Sequence, residues 1–144
     1  MFVIFFSSMK TKPKEFILHI ASSRKNIHQV EEFFHAVNST FQLPDERLHA
    51  LLVAVTEAVN NGIIHGNNND AAKFVTVKCS RDKNSVTIKV KDEGKGFNPK
   101  NVSNPLDEEN LLRTGGRGVF LMKSFMQSVT YNKRGNEVTM TLEV

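Results

Sequence analysis

Apolar residues recur along this chain with two periods, and each period predicts a different secondary structure. Alternation of apolar and polar residues predicts a strand at 16–20. Spacings of three and four residues between apolar positions predict helices at 26–41 and at about 46–65. The same patterns predict the later elements, which are strands at 74–79 and 86–90, a helix following 115–118, and strands at 129–132 and 137–144.

The order of these elements favours an α+β fold over repeated βαβ units, because the helices and the strands are clustered. We expect a two-layer α/β sandwich with about three helices on a mixed, mostly antiparallel sheet of about five strands. Residues 15–144 form the expected domain, and residues 1–14 form an N-terminal extension or an edge strand, with Met9 as an alternative start. Segment 97–115 is long, contains Pro99 and Pro105, and is predicted to be a lid.

Asp92 stands in register with three apolar residues of its predicted strand, Val86, Ile88 and Val90. An inward-facing carboxylate costs several kcal/mol unless a donor satisfies it. Gly94 and Gly96 follow directly, and glycines allow close approach of a ligand. We therefore interpret Asp92 as the floor of a binding pocket.

Glu57, Asn61 and His65 are spaced by four residues on the second predicted helix, roughly opposite its apolar stripe. A carboxylate at this position can act as a general base, and an amide oxygen suits Mg²⁺. Taken alone, Glu57 and Asn61 are also typical of a solvated helix face, and His65 is typical of a hydrogen-bonded histidine at a helix end.

Glycines surround Arg117 at the start of the third predicted helix, in the sequence Gly115-Gly116-Arg117-Gly118. Free N–H groups at a helix N-terminus favour phosphate oxygens, and Arg117 or Arg113 can add contacts. The motif is neither a P-loop nor a dinucleotide fingerprint, and a glycine-capped turn is an equal alternative.

Charge and cysteine content narrow the class of protein. The net charge of +4 is concentrated between residues 73 and 101, which is typical of solvated strand faces rather than of a nucleic-acid-binding tail. Attraction of an anionic ligand or an acidic protein partner is the alternative. Cys79 is the single cysteine, which excludes a disulfide within the chain and favours a reducing cytoplasm. It is in phase with Val75 and Val77 on its predicted strand, so we expect a buried thiol. The apolar residues 1–6 are too few to span a membrane. We expect neither direct nucleic-acid binding nor membrane association.

Together, three motifs in this order resemble the ATP site of the GHKL (histidine-kinase-like, Bergerat-fold) ATPases, and in particular the anti-sigma-factor serine/threonine protein kinases. Residues 56–66 (TEAVNNGIIHG) resemble the N-box of that family. Residues 91–97 (KDEGKGF) and 115–122 (GGRGVFLM) resemble its two glycine boxes. The resemblance extends from about residue 15 to residue 144.

The resemblance implies roles for individual residues. It assigns Asp92 to the adenine amino group, Asn61 to Mg²⁺ and Glu57 to the general base that activates a serine hydroxyl. It also implies that ATP or ADP contacts His65, Gly94, Gly96, Phe97, Gly115, Gly116, Arg117, Gly118 and Val119. One position departs from the family pattern, because Asn136 follows Gly135 where the family often has a threonine that assists adenine binding.

The implied function is that of an ATP-binding anti-sigma factor and serine-protein kinase. Such a protein phosphorylates a STAS-domain anti-anti-sigma partner, sequesters a sigma factor and usually forms a homodimer. A nucleotide-sensing module without significant kinase activity is the alternative. The ATP-binding half of a histidine-kinase system is a weaker one, because no dimerisation helix with a phosphoacceptor histidine precedes the motifs.

Overall fold

The computed structural model of the protein describes residues 2–5, 14–96 and 116–144, and for residues 2–5 and 116–117 it describes the backbone alone. The predicted lid and the residues Phe97, Arg113 and Gly115 lie outside the described residues.

The sheet has six strands in the order β1-β2-β3-β4-β6-β5. Their bounds are β1 Phe2–Phe5, β2 Glu15–Ala21, β3 Phe74–Arg81, β4 Ser85–Lys91, β5 Ser128–Tyr131 and β6 Glu137–Glu143. All pairings between these strands are antiparallel. The predicted fold class is therefore confirmed, although the sheet is wider than expected and its described part has no parallel pair.

Three helices lie on one face of this sheet: α1 (His28–Phe41), α2 (Asp45–Asn61) and α3 (Gly116–Phe125). A 3-10 turn at Arg24–Asn26 precedes α1, and one π-helical turn at Gly62–Gly66 follows α2. Extended backbone at Pro44 starts α2, and two acidic residues in its first turn favour the positive end of the helix dipole. No helix in the described ranges is long and apolar enough to cross a membrane.

The core lies between the helices and the sheet, and the period-two patterns of the strands account for it. On β4 the residues Val86, Ile88 and Val90 are buried, and on β6 the alternate positions Val138, Met140 and Leu142 are buried. Side chains of this kind contribute roughly 1.5–3 kcal/mol each when fully buried. Cys79 is also buried, which confirms the expectation from sequence.

Helix α2 buries more than one of its sides. Its predicted apolar stripe faces the sheet layer, while Ala54 and Ala58 on another side are also buried. Helix α3 packs against α2. Glu57 and Asn61 are consequently half-buried rather than fully solvated, which distinguishes them from residues of an ordinary polar helix face.

Candidate nucleotide-binding site

Asp92 lies directly after β4 and is half-buried next to the π turn that follows α2. Its N–H donates to the carbonyl oxygen of Asn136 at 2.9 Å. The N–H of Gly94 donates to Asp92 Oδ1 at 2.8 Å. The strand thus ends one residue before Asp92, and main-chain groups hold the carboxylate in place.

Burial raises the pKa of the Asp92 carboxyl group above its usual range. The hydrogen bond from Gly94 and the positive charge of Arg134 oppose this shift without cancelling it. The ionised carboxylate therefore lacks part of the stabilisation that water would give it. A ligand N–H group can supply that stabilisation, as the amino group of adenine would.

Two glycines bring the π turn and the turn after β4 into direct contact. A Cβ atom on Gly66 would overlap with the carboxylate of Asp92, and one on Gly94 would overlap with the carbonyl of Gly66. Gly96 has φ +80°, and a Cβ there would overlap with the Arg134 carbonyl. The protein's own backbone occupies the space beside Gly94 and Gly96, so a direct role for these glycines in adenine approach stays a prediction.

The start of α3 meets the two polar residues of α2 on which the kinase prediction depends. A Cβ atom on Gly118 would lie 3.1 Å from Glu57 Oε2 and 3.1 Å from Asn61 Nδ2. Val119, the residue after Gly118, is also buried. Residues about 60 positions apart in the chain are therefore brought together at the N-terminal end of a helix, where anions are favoured.

His65 does not continue the α-helical register of Glu57 and Asn61. The predicted helix at about 46–65 is too long, because α2 ends at Asn61 and a wider π turn carries His65. His65 is exposed there. Gly116 begins α3, whereas the side chain of Arg117 lies outside the described residues.

A cavity of about 560 Å³ opens beside Asp92. Its lining residues are His19, Phe74, Thr76, Lys91, Asp92 and Glu93. The strand residues His19, Thr76 and Lys91 alternate with buried core residues and so point away from the helices. Among the predicted site residues, this cavity includes Asp92 but not Glu57, Asn61 or Gly118.

The donor set fits a magnesium ion that is bound together with a nucleotide. No group of three or more His, Cys, Asp or Glu side chains that could hold a metal ion occurs in the ranges that the structure describes. Mg²⁺ typically uses one or two protein oxygens together with water and substrate phosphates. The amide of Asn61, next to the N-terminal end of α3, is suited to such a site.

Two buried asparagines near Asp92 were missed by the sequence reasoning as parts of the site. Asn136 is buried, and its Nδ2 donates to the Asp92 carbonyl at 3.4 Å while its Oδ1 accepts from Asn132 Nδ2 at 2.7 Å. Asn67 is fully buried behind the turn that contains Glu93. The departure from the family pattern at Asn136 is visible in the sequence, but its contact with the Asp92 main chain has no sequence signal.

The histidine kinase-like ATPase domain model matches residues 20–142 of this chain. The chain belongs to that family. The resemblance inferred from the three motifs is thereby confirmed.

Named relatives place the chain among the anti-sigma members of the family. It is 34% identical over 96 residues to the anti-sigma F factor of Clostridium perfringens (strain SM101), covering 65% of this chain and 69% of that protein. It is 36% identical over 99 residues to the serine-protein kinase RsbW of Staphylococcus aureus (strain JH9), covering 62% and 61%. The name of the second relative agrees with the prediction that this chain is a protein serine kinase. The match thus spans about two thirds or less of each relative.

A solved structure resembles most of the fold. The crystal structure of the RsbU and RsbW domains of a Mycobacterium tuberculosis protein matches with a TM-score of 0.59 and 15% sequence identity. The match covers 88% of this chain and 31% of that chain. At this identity the likeness supports the fold alone.

Proposed function

We propose that this protein is an ATP-dependent serine/threonine protein kinase and anti-sigma factor, which phosphorylates a STAS-domain anti-anti-sigma partner and sequesters a sigma factor. The observation that carries the proposal is the close approach of Gly118 to both Glu57 and Asn61, which leaves no room for a side chain. It joins a candidate base, a candidate metal ligand and a helix N-terminus at one place. Membership of the ATPase family and the names of the relatives support the same function.

In the proposed site, the nucleotide lies between the Asp92 turn and the start of α3. The Asp92 carboxylate accepts a hydrogen bond from the adenine amino group, and this bond offsets the cost of its burial. The N–H groups at the start of α3 face the phosphates. His65, Gly94, Gly96, Phe97 and the segment 115–119 are proposed to complete the nucleotide contacts.

In the proposed reaction, Glu57 accepts the proton of a serine hydroxyl on the partner protein. The serine oxygen then bonds to the γ-phosphorus of ATP, the bond from that phosphorus to the bridging oxygen breaks, and ADP leaves. A magnesium ion held with the help of the Asn61 amide oxygen would neutralise charge on the phosphates. The half-buried position of Glu57, one helical turn before Asn61, supports this role.

The remaining parts of the proposal concern the whole protein. We propose that it acts in the cytoplasm as a homodimer, with residues 15–144 as the ATPase domain and 97–115 as its lid. Residues 1–14 are an N-terminal extension or edge strand, and Phe2–Phe5 within them form β1 of the sheet. The anti-sigma F factors and the RsbW kinase among the relatives support a sigma factor as one partner.

Transfer of labelled phosphate from ATP to a STAS-domain protein of the same organism tests the proposed reaction. We expect wild-type protein to label its partner and Glu57→Gln to lower the rate by about 10²–10⁴-fold, because general-base catalysis contributes that much. ATP affinity should be nearly unchanged in this variant. Glu32→Gln, an exposed glutamate on α1, is the matched control and should retain the full rate.

Two other outcomes would change the assignment. Equal labelling by wild type and Glu57→Gln would contradict the role of Glu57. Tight ATP binding without labelling of any STAS-domain protein from the organism would favour the alternative, a nucleotide-sensing module without significant kinase activity.

A further inference from the structure

Asn67 is a fully buried polar residue in the loop after the π turn, and no ligand contact is assigned to it. Its Nδ2 donates to Ser22 Oγ at 2.8 Å and to the Phe74 carbonyl at 3.1 Å. Its Oδ1 accepts a hydrogen bond from the Glu93 N–H at 2.8 Å. One side-chain amide therefore joins the residue after β2, the start of β3 and the turn after β4.

The main chain of Asn67 adds a fourth connection. Its N–H donates to the carbonyl of Gly62 at 2.8 Å, and Gly62 directly follows Asn61 at the end of α2. Asn67 thus links the end of the helix that carries Asn61 to the turn that carries Asp92. Since Asn67 has no exposed surface, it acts on a ligand only through these neighbours.

Hydrogen bonds hold the main chain on both sides of Asp92. Asn67 accepts the Glu93 N–H, while Asn136 accepts the Asp92 N–H through its carbonyl oxygen. The Asn136 bond is a main-chain bond that most side chains at that position would permit. The Asn67 bond depends on a side-chain oxygen, so substitution can remove it.

We propose that Asn67 is a positioning residue of the nucleotide site, and that its Oδ1 fixes the Asp92 carboxylate relative to Asn61. The inference rests on the proposed ATP site. If the acceptor is lost, the turn after β4 keeps its packing against Gly66 but loses its side-chain hydrogen bond to the loop after α2. The Asp92 carboxylate then no longer meets the adenine amino group in a fixed geometry. Loss of the hydrogen bond between the Asp92 carboxylate and the adenine amino group would weaken nucleotide binding by about 10–100-fold.

The alternative is that Asn67 only stabilises the fold, and two variants separate the roles. Asn67→Asp keeps an oxygen that accepts the Glu93 N–H but loses both donor bonds and buries a carboxylate. Ser22→Ala removes one partner of Asn67, and also the bond from Ser22 Oγ to the Lys73 carbonyl at 2.8 Å, but leaves the bond to Glu93 intact. Both should lower stability and leave nucleotide affinity nearly unchanged.

The experiment is calorimetric titration of ADP and of GDP with Mg²⁺ into wild type, Asn67→Ala, Asn67→Asp and Ser22→Ala, at a temperature where circular dichroism shows each to be folded. We expect Asn67→Ala to bind ADP about 10–100-fold more weakly and to lose preference for ADP over GDP. The other two should bind within about threefold of wild type, which is under 1 kcal/mol. Asn67→Leu, which fills the space, replaces Asn67→Ala if that variant does not fold.

The outcomes are distinguishable. Wild type that binds neither nucleotide contradicts the proposed function itself. Wild type that binds ADP while Asn67→Ala retains its affinity and its preference overturns the positioning role alone. Equal weakening by Ser22→Ala and Asn67→Ala also overturns it, because affinity would then follow stability rather than the bond to Glu93.

Discussion

Asp92 is the residue to which we assign nucleotide selection, and its surroundings are built almost entirely from main chain. The Gly94 N–H donates to the Asp92 carboxylate, and the Asn136 carbonyl oxygen accepts the Asp92 N–H. Gly66 leaves space for the Asp92 side chain. This arrangement orients the carboxylate without fully satisfying it, and burial raises its pKa. A site of this kind is less stable without its ligand than an uncharged equivalent would be.

Replacement of Asp92 by asparagine tests this cost directly. Folding raises the pKa of Asp92. The free energy of unfolding of the wild-type protein therefore decreases as the pH rises from the ordinary carboxyl range through the raised pKa. The substituted amide does not titrate, so the free energy of unfolding of Asp92→Asn relative to wild type should increase with pH over that interval and then level off. Urea denaturation without nucleotide, at several values between about pH 4 and pH 7, measures the difference. A difference that falls as the pH rises would contradict the account.

At the scale of elements, the contact between α2 and the start of α3 aligns the catalytic and metal-binding candidates. Gly118 is buried, and a Cβ atom at this position would lie only 3.1 Å from Glu57 Oε2 and from Asn61 Nδ2. A side chain at this position has to displace both. The glycine is therefore explained by its neighbours rather than by its own backbone conformation.

Gly118→Ala should consequently impair activity more than stability. We expect phosphotransfer to fall by about 10–100-fold, since small misplacements of catalytic groups have effects of that size. Alanine favours a helix over glycine by roughly 1 kcal/mol, which offsets the strain. Thermal denaturation and the phosphotransfer rate provide the two readings, and Lys123→Ala, exposed on α3, is the control. A large loss of stability with normal turnover per folded molecule would contradict this explanation.

The elements themselves could be predicted from sequence because each depends on a local pattern. Alternation in β4 and β6 and helical spacing in α1 match the buried positions closely. The end of α2 could not be predicted, because the π turn at Gly62–Gly66 depends on packing against Asp92 and on the Asn67 bond to Gly62.

The candidate site was predicted where a local pattern in the sequence indicates its residues, as strand alternation does for Asp92 and helical spacing does for Glu57 and Asn61. Glu57 and Asn61 are four residues apart, so any α-helix places them together. Asn67 stands in a run of three asparagines, and periodicity does not indicate which of them is buried. Its partners Ser22 and Glu93 are distant in sequence, so their association is visible only in the folded chain.

At the scale of the whole molecule, Cys79 reports on the stability of the sheet. It lies in the C-terminal half of β3 and is buried, and burial raises the pKa of its thiol strongly. Both effects suppress reaction with thiol reagents until the sheet opens. The slow reaction of this thiol can therefore measure how a ligand at Asp92 stabilises the entire fold.

We expect saturating nucleotide to protect Cys79. If ADP binds the folded state alone, a concentration 100 times its dissociation constant stabilises the fold by about 2.7 kcal/mol and slows labelling by about 100-fold. The measurement is the rate of reaction with a thiol reagent at low concentration, with and without ADP. Labelling that is fast in the native protein, or unaffected by a nucleotide that calorimetry shows to be bound, would contradict this coupling.

The proposed roles all depend on whether Asp92 binds an adenine nucleotide at a site shared with Glu57 and Asn61. Calorimetric titration of ATP with Mg²⁺ into wild type and Asp92→Asn tests it most directly, with Asp70→Asn, an exposed loop residue, as the control. We expect wild type and the control to bind ATP with equal affinity and Asp92→Asn to bind it about 10–150-fold more weakly. Equal affinity of all three proteins, or no binding by wild type, would contradict it.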